Sequence, residues 1–385
     1  MSAESALRPP SEETVFSIDA GSDRRVDIDA KMGRVAALLQ GSGCEGLLLL
    51  EPENVAWLTS GAAARGVLDP DSSPAAYCTG EARWVLCANA DSQRLFDEEL
   101  DGLGFQLKEW PWHWGREQFL ADLCANRKVA CDRPLGDAVV VAETLRKLRR
   151  QLTPYEGACL LALGQVVTHS LEATCRTLSA HDTEREVAGQ VAHRLMHRGV
   201  QPLHVGVAAD GRSRTYRQFG FTSVPVQQFA VLTATGRKYG LTATASRTVC
   251  FGEVPAELRQ DHNAVIRVSA SYLASSWTDA VPREILLAGR RIYLISGYEH
   301  EWMLAPQGHL TGRSAVELTL TPRTGDLFQA GWAVTWCASA GAAVSCDTFL
   351  ITDRGPKPIT PTEVWPLKRV RVQGADCVRP DILQR

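Results

Sequence analysis

Long apolar runs are missing from this sequence. No stretch reaches the roughly 18 consecutive apolar residues that a membrane-crossing helix requires. No transmembrane segment and no membrane partner are therefore expected. Residues 1–30 hold no apolar segment of the kind a secretory leader needs, so no signal peptide is expected. Nor is there a surplus of either charge. Lys and Arg number 41, Asp and Glu 44, and the net charge is −3. That balance excludes the basic footprint of a general nucleic-acid binder. Internal repeats and low-complexity tracts are also missing. Cysteine is plentiful, with 11 residues between Cys44 and Cys377, but no two form a CxxC pair. Zinc ribbons and thioredoxin-like redox motifs are thereby excluded. An odd, scattered count is not a secreted disulfide framework either. The expectation is a cytoplasmic protein whose cysteines are mostly buried thiols. What remains is an ordinary globular composition, 45% hydrophobic over 385 residues, long enough for two domains.

Residues 1–30 are polar and read as a poorly ordered lead-in. A helical pattern follows from near Asp29, with Met32, Val35, Leu38 and Leu39 on one face and Gly41 and Gly43 at its end. The apolar run 46–50 reads as a buried strand. Strands at 83–88 and 128–131 and a helix at 90–100 complete a small α/β domain over 31–150. The aromatic stretch from Trp110 to Trp114 reads either as local core or as an exposed contact for a subunit or ligand. A basic joint, Arg146 to Arg150, precedes Thr153-Pro154-Tyr155-Glu156, which combines an N-cap, a proline at N1 and a capping box. The helix it opens should run to about Leu178. Thr183 and Glu186 repeat the signal for a helix ending at Gly199. Strands are expected at 228–235, 241–251, 291–297, 332–338 and 343–352, with one helix at 255–276. Residues 151–385 thus read as an α+β domain.

Several spacings in the second half resemble those of the pita-bread family: methionine aminopeptidase, aminopeptidase P, prolidase and creatinase. Leu145 through Glu156 resembles the link between a creatinase-like N-terminal domain and the catalytic domain. Gly240, Ser246-Arg247-Thr248 and Gly252 resemble its G-Y-x-x-D-x-T-R-T…G hairpin. Gly308-His309, Gly312 and Glu317 resemble its G-H-G-x-G…H-E-x-P, and Gly331 through Thr352 its closing E-P…E-D-T segment. The resemblance spans nearly all of residues 30–370. It implies a smaller α/β domain followed by a pita-bread domain.

In that family two Asp, one His and two Glu hold a pair of divalent cations. Here the aspartate positions, eleven residues apart, fall on Thr233 and Thr244, and the glutamate positions on Cys337 and Cys346. The histidine is kept as His309. The second family histidine falls on Val316, and no histidine stands near Tyr216 to match the one upstream. Threonine hydroxyls are poor ligands for hard dications, so no metal and no other cofactor is expected. His309 reads as a retained structural ring or as an acid/base. Glu317 reads as its orienting carboxylate or as the ion-pair partner of Arg313. Cys337 and Cys346 have three readings: small buried residues, a Cys₂His zinc site with His309, or reactive thiols. Arg237 and Arg247 flank the hairpin; with Thr233, Thr244 and Arg313 they would favour a carboxylate-bearing ligand.

Three functions follow from the resemblance. The first is a metal-independent C–N hydrolase using His309 and Glu317. The second is a non-catalytic protein that binds a small molecule, peptide or protein, as the large subunit of the histone chaperone FACT does on this fold. The third, opposed by the lost ligands, is an Xaa-Pro metallopeptidase. The family also implies a homodimer.

Overall fold

A six-stranded mixed sheet organises the first 150 residues. The computed structural model describes residues 22–62, 73–372 and 374–385. Helix α1 (Ser22–Ser42) leads into β1 (Gly46–Leu49), α2 (Pro52–Leu58), β2 (Ala75–Cys78) and β3 (Arg83–Ala88). Helix α3 (Ser92–Leu95) continues as a π-type turn to Leu100, followed by β4 (Gln106–Trp110), α4 (Arg116–Cys124), β5 (Val129–Cys131), β6 (Val139–Val140) and α5 (Ala142–Arg150). The strand order is β4-β3-β2-β1-β5-β6. Strand β1 lies centrally with Leu47, Leu48 and Leu49 all fully buried, which explains why its sequence is apolar without alternation.

The lead-in of residues 1–30 needs correction. Residues 22–30 already belong to α1, because Ile28 and Asp27 are buried under the domain; residues 1–21 lie outside the described residues. The aromatic stretch divides. Trp110 is buried against Phe119, whereas Trp112 and Trp114 are 71% and 72% exposed.

The second half opens with α6 (Pro154–Thr177) and α7 (Glu184–His197), each with its capping box formed as the sequence predicts. Strands β7 (Gln201–Ala209), β8 (Phe229–Lys238) and β9 (Leu241–Cys250) follow, then helices α8 (Ala256–Ala274) and α9 (Pro282–Ile295). Next come β10 (Gly308–Thr311), β11 (Leu318–Thr319), β12 (Ala333–Ala340), β13 (Ala343–Thr352) and β14 (Gly355–Pro358). The hairpin of β15 (Leu367–Val372) and β16 (Ala375–Pro380) and the short β17 (Leu383–Gln384) close the chain. Two sheets result, β17-β9-β8-β7 and β11-β10-β12-β13-β14. Helices α6 and α7 cover the outer face of the first, and α8 and α9 the outer face of the second.

The strand expected at 291–297 is instead the end of α9. Its Ile-Tyr-Leu-Ile run is strand-like in composition, but Pro282 sits in the first turn and Ile285, Leu286, Gly289 and Tyr293 are buried at helical spacing. A longer window overrides a short one. Strand β7 and the β15–β16 hairpin were not foreseen. Among the described residues, no helix is long and apolar enough to cross a membrane.

The two halves are joined by buried charge. Lys31 of α1 lies 2.8 Å from Glu156 of α6 and 2.7 Å from Asp27, and Arg313 lies 2.5 Å from the same glutamate. All four side chains are almost wholly excluded from solvent. Burial alone would raise the Glu156 pKa, but the Lys31 and Arg313 charges overcome it and hold the carboxyl at about 2.

Candidate functional site

Strand alternation decides which residues can share a site. On β8, Ala230, Leu232 and Ala234 pack against the helices; on β9, Leu241, Ala243 and Ala245 do the same. Thr233 and Thr235 therefore face inward, as do Thr242, Thr244 and Ser246. In the second sheet, Leu310, Val334 and Trp336 face α8 and α9, which turns His309, Thr335 and Cys337 inward. The inner faces meet where β9 meets β13.

Two rows of side chains cross this face. In the first, His204 is opposite Thr235 and Thr235 is opposite Thr244. The Thr235 and Thr244 hydroxyls lie 2.9 Å apart. The Thr244 amide donates to Thr348 Oγ1 at 3.0 Å, and that hydroxyl donates to the Thr244 carbonyl at 2.9 Å. Thr335 Oγ1 is 3.0 Å from Thr348 Oγ1, and His309 stands opposite Thr335. In the second row, Thr233 is opposite Ser246, whose hydroxyl accepts from the Cys346 amide at 2.7 Å, and Cys346 is opposite Cys337.

This register keeps Thr233 and Thr244 on the same face, one rung apart: Thr235 is opposite Thr244 and Thr233 is opposite Ser246. The hairpin turns on two residues, Tyr239 and Gly240, both at positive φ (54° and 67°). Such a tight turn fixes the rungs at 235–244 and 233–246. Gly240 is required there twice over, since a Cβ would also meet Ala56 at 2.7 Å.

Other sequence-predicted residues go elsewhere. Arg247 points outward, 3.0 Å from both Glu172 and Asp347, and does not line the inner face. Arg313 is held by Glu156 and the Tyr239 carbonyl. Glu317 pairs with Arg149 at 2.7 Å, not with Arg313, and accepts from the Ser314 amide at 2.9 Å. No hydrogen bond joins it to His309 among the described residues. Arg149 also reaches Asn54, which donates to Asp132, so Glu317 ends a chain that begins in the N-terminal half. Cys337 and Cys346 form a disulfide with their Cα atoms 4.1 Å apart, so neither is the free sulfur that the zinc and reactive-thiol readings required; Cys346 is buried and Cys337 half-buried.

His309 is half-buried, and burial pushes its pKa down to about 4, leaving a neutral ring at pH 7. Among the described residues it makes no hydrogen bond. Sequence reasoning missed His204, because the upstream histidine was sought near Tyr216. The signal was the alternation of His204, Gly206 and Ala208 with Val205 and Val207. Gly206 leaves the space in which the His204 ring and Thr233 Oγ1 approach: a Cβ there would lie 3.0 and 2.6 Å from them. A guanidinium does remain on this face. Among the described residues Arg237, two residues beyond Thr235, has no ion pair, and its buried Nε has no hydrogen-bond partner. Two open clefts, of about 430 and 500 Å³, lie away from these rows, beside Glu186 and His193 and beside Arg214 and Glu301.

Among solved structures, the prolidase from Pyrococcus furiosus superposes with a TM-score of 0.72 at 16% identity, over 85% of this chain and 99% of that one. The chain has the pita-bread fold. The Xaa-Pro dipeptidase from Bacillus anthracis gives a TM-score of 0.72 at 17% identity, over 88% of this chain and 99% of that one. The N-terminal domain of FACT complex subunit SPT16 from Cicer arietinum (chickpea) gives 0.62 at 10% identity, over 90% and 97%. No family model and no curated protein matches the sequence.

The pita-bread fold raises the question of a metal pair, and the donor set answers it. These two rows offer threonine and serine hydroxyls, two bridged sulfurs and the imidazoles of His204 and His309. Hard divalent ions need anionic oxygens, and none projects from these two rows. Among the described residues, no group of three or more His, Cys, Asp or Glu side chains is placed to hold a metal. The residues do not fit a dinuclear centre.

Proposed function

We propose that this protein is a non-hydrolytic, metal-independent member of the pita-bread fold, whose inner face binds a small carboxylate-bearing molecule or peptide. The observation that carries this reading is the pairing state of the charged groups. Arg247, Arg313 and Glu317 are each consumed by buried partners, whereas Arg237 stands on the inner face with no counter-ion among the described residues. A guanidinium presents a planar fork suited to a carboxylate. The neighbouring hydroxyls of Thr233 and Thr235 and the neutral rings of His204 and His309 supply uncharged donors and acceptors.

Binding is read by calorimetry with short peptides, the same peptides amidated at the C-terminus, and simple amines. Free acids should bind, and Arg237→Gln should weaken them at least tenfold. Preference for amines or amidated peptides would overturn the assignment. Incubation with Mn²⁺ and Xaa-Pro dipeptides should give no turnover; two bound metals per chain with robust cleavage would refute it. A second reading, C–N hydrolysis with His309 as acid/base, is favoured by the unpaired ring alone. It requires turnover that His309→Ala abolishes while the fold survives.

A further inference from the structure

We propose that Cys337 and Cys346 form a reversible two-electron redox site that exchanges with small dithiol reductants from the inner face, rather than a structural bridge. This inference does not rest on the ligand-binding reading. Three observations support it.

First, the bridge does little that its hairpin does not already do. The two cysteines are nine residues apart and directly opposite on β12 and β13. Eight consecutive pairs, from Ala333–Leu350 to Ala340–Ala343, hold those strands in register. A cross-link stabilises chiefly by restricting the unfolded chain, and the effect grows with the loop it closes. Here the loop is short.

Second, the pair is chemically distinct from the other nine cysteines, all of which are free thiols. Seven of those are buried. Burial pushes Cys78, Cys87 and Cys175 up to about 12, so little thiolate forms at neutral pH.

Third, access is one-sided. Cys337 is half-buried on the inner face, whereas Cys346 is 3% exposed beneath it, its amide tied to Ser246. An incoming thiolate reaches Cys337 Sγ first. It forms a mixed disulfide there and expels Cys346 as a thiolate. The second thiol of the reductant then attacks its own bridged sulfur and releases Cys337. The protein disulfide gains two electrons and two protons, and the dithiol becomes a disulfide. Oxidised, the inner face carries a bridge; reduced, it carries two adjacent thiols able to clamp a thiophilic ion.

The test uses the full chain under native conditions in buffers of graded reduced and oxidised dithiothreitol. Samples are quenched with N-ethylmaleimide and mapped by peptide mass. Cys337 and Cys346 should pass together from bridged to alkylated, with an unchanged far-ultraviolet circular dichroism spectrum. Under limiting reagent, Cys337 should be alkylated at least fivefold faster than Cys346. Phenylarsine oxide should protect the reduced pair, and Cys337→Ser or Cys346→Ser should abolish that protection. A bridge that resists 10-fold excess dithiol until denaturant is added would make it structural. Alkylation of both residues in air-oxidised protein without prior reduction would mean that no bridge forms. Either result overturns the proposal and leaves carboxylate binding at Arg237 untouched.

Discussion

The two faces of strand β9 follow opposite rules. Outward, Arg247 is wedged between Glu172 and Asp347, and Arg379 holds the second oxygen of Asp347 at 2.6 Å. Every charge there has a partner of opposite sign within the protein. Inward, Thr242, Thr244 and Ser246 carry no charge and bond through hydroxyls and backbone. A hydroxyl both donates and accepts, so a row of them closes its own hydrogen bonds. Facing carboxylates would repel each other and need a cation between them. The difference teaches that ionic groups persist here where the protein itself supplies the counter-charge.

The comparison breaks most visibly at Arg247. Arg247→Ala takes the shared guanidinium from two buried carboxylates, leaving Asp347 to Arg379 and Glu172 to Arg176 at 3.8 Å, and should cost roughly 3–5 kcal/mol, read as a lowered urea midpoint. Arg247→Lys should recover only part of this, because one ammonium cannot reproduce the guanidinium fork. An inner-face change should cost less. Thr348→Val removes the hydroxyl shared by Thr244 and Thr335 and leaves the Thr244 amide unpaired, for roughly 1–3 kcal/mol in the same measurement. A larger loss there than at Arg247 would reverse the ranking of the faces.

At pH 7 His309→Gln gives the smallest effect, and the one most dependent on pH. The folded ring titrates near 4, below the roughly 6.5 of an unfolded histidine. As pH falls below about 6.5 the unfolded chain takes up a proton that the folded protein refuses, so stability is lost from there down to about pH 4. His309→Gln should flatten stability across that window and change little at pH 7. An unchanged acid slope would show that the ring is not held neutral.

Local signals carried most of the fold. Thr153 with Glu156 and Thr183 with Glu186 announced α6 and α7, and the strand expected at 343–352 is β13 with the same bounds. Such features depend on residues within one turn or one strand. The site was less legible because its partners are remote. Glu317 meets Arg149 across 168 residues, and Arg313 meets Glu156 across 157. Nothing in local spacing chooses between one arginine and another. Register was left unread. The Tyr239–Gly240 turn puts Thr235 beside Thr244 and Thr233 beside Ser246. The same arithmetic, centred on Gly341 and Ala342, would have placed Cys337 opposite Cys346.

The buried meeting of Lys31, Glu156 and Arg313 has a bearing on how the molecule comes apart. Pulling the N-terminal half away would take one cation from a carboxylate that has no water to replace it. The remaining charges would have to hydrate or change protonation, and either route opens the base of α6. Neither half can therefore shed the other cheaply, and the six-stranded sheet is tied to the sheets of the second half by charge as well as by packing.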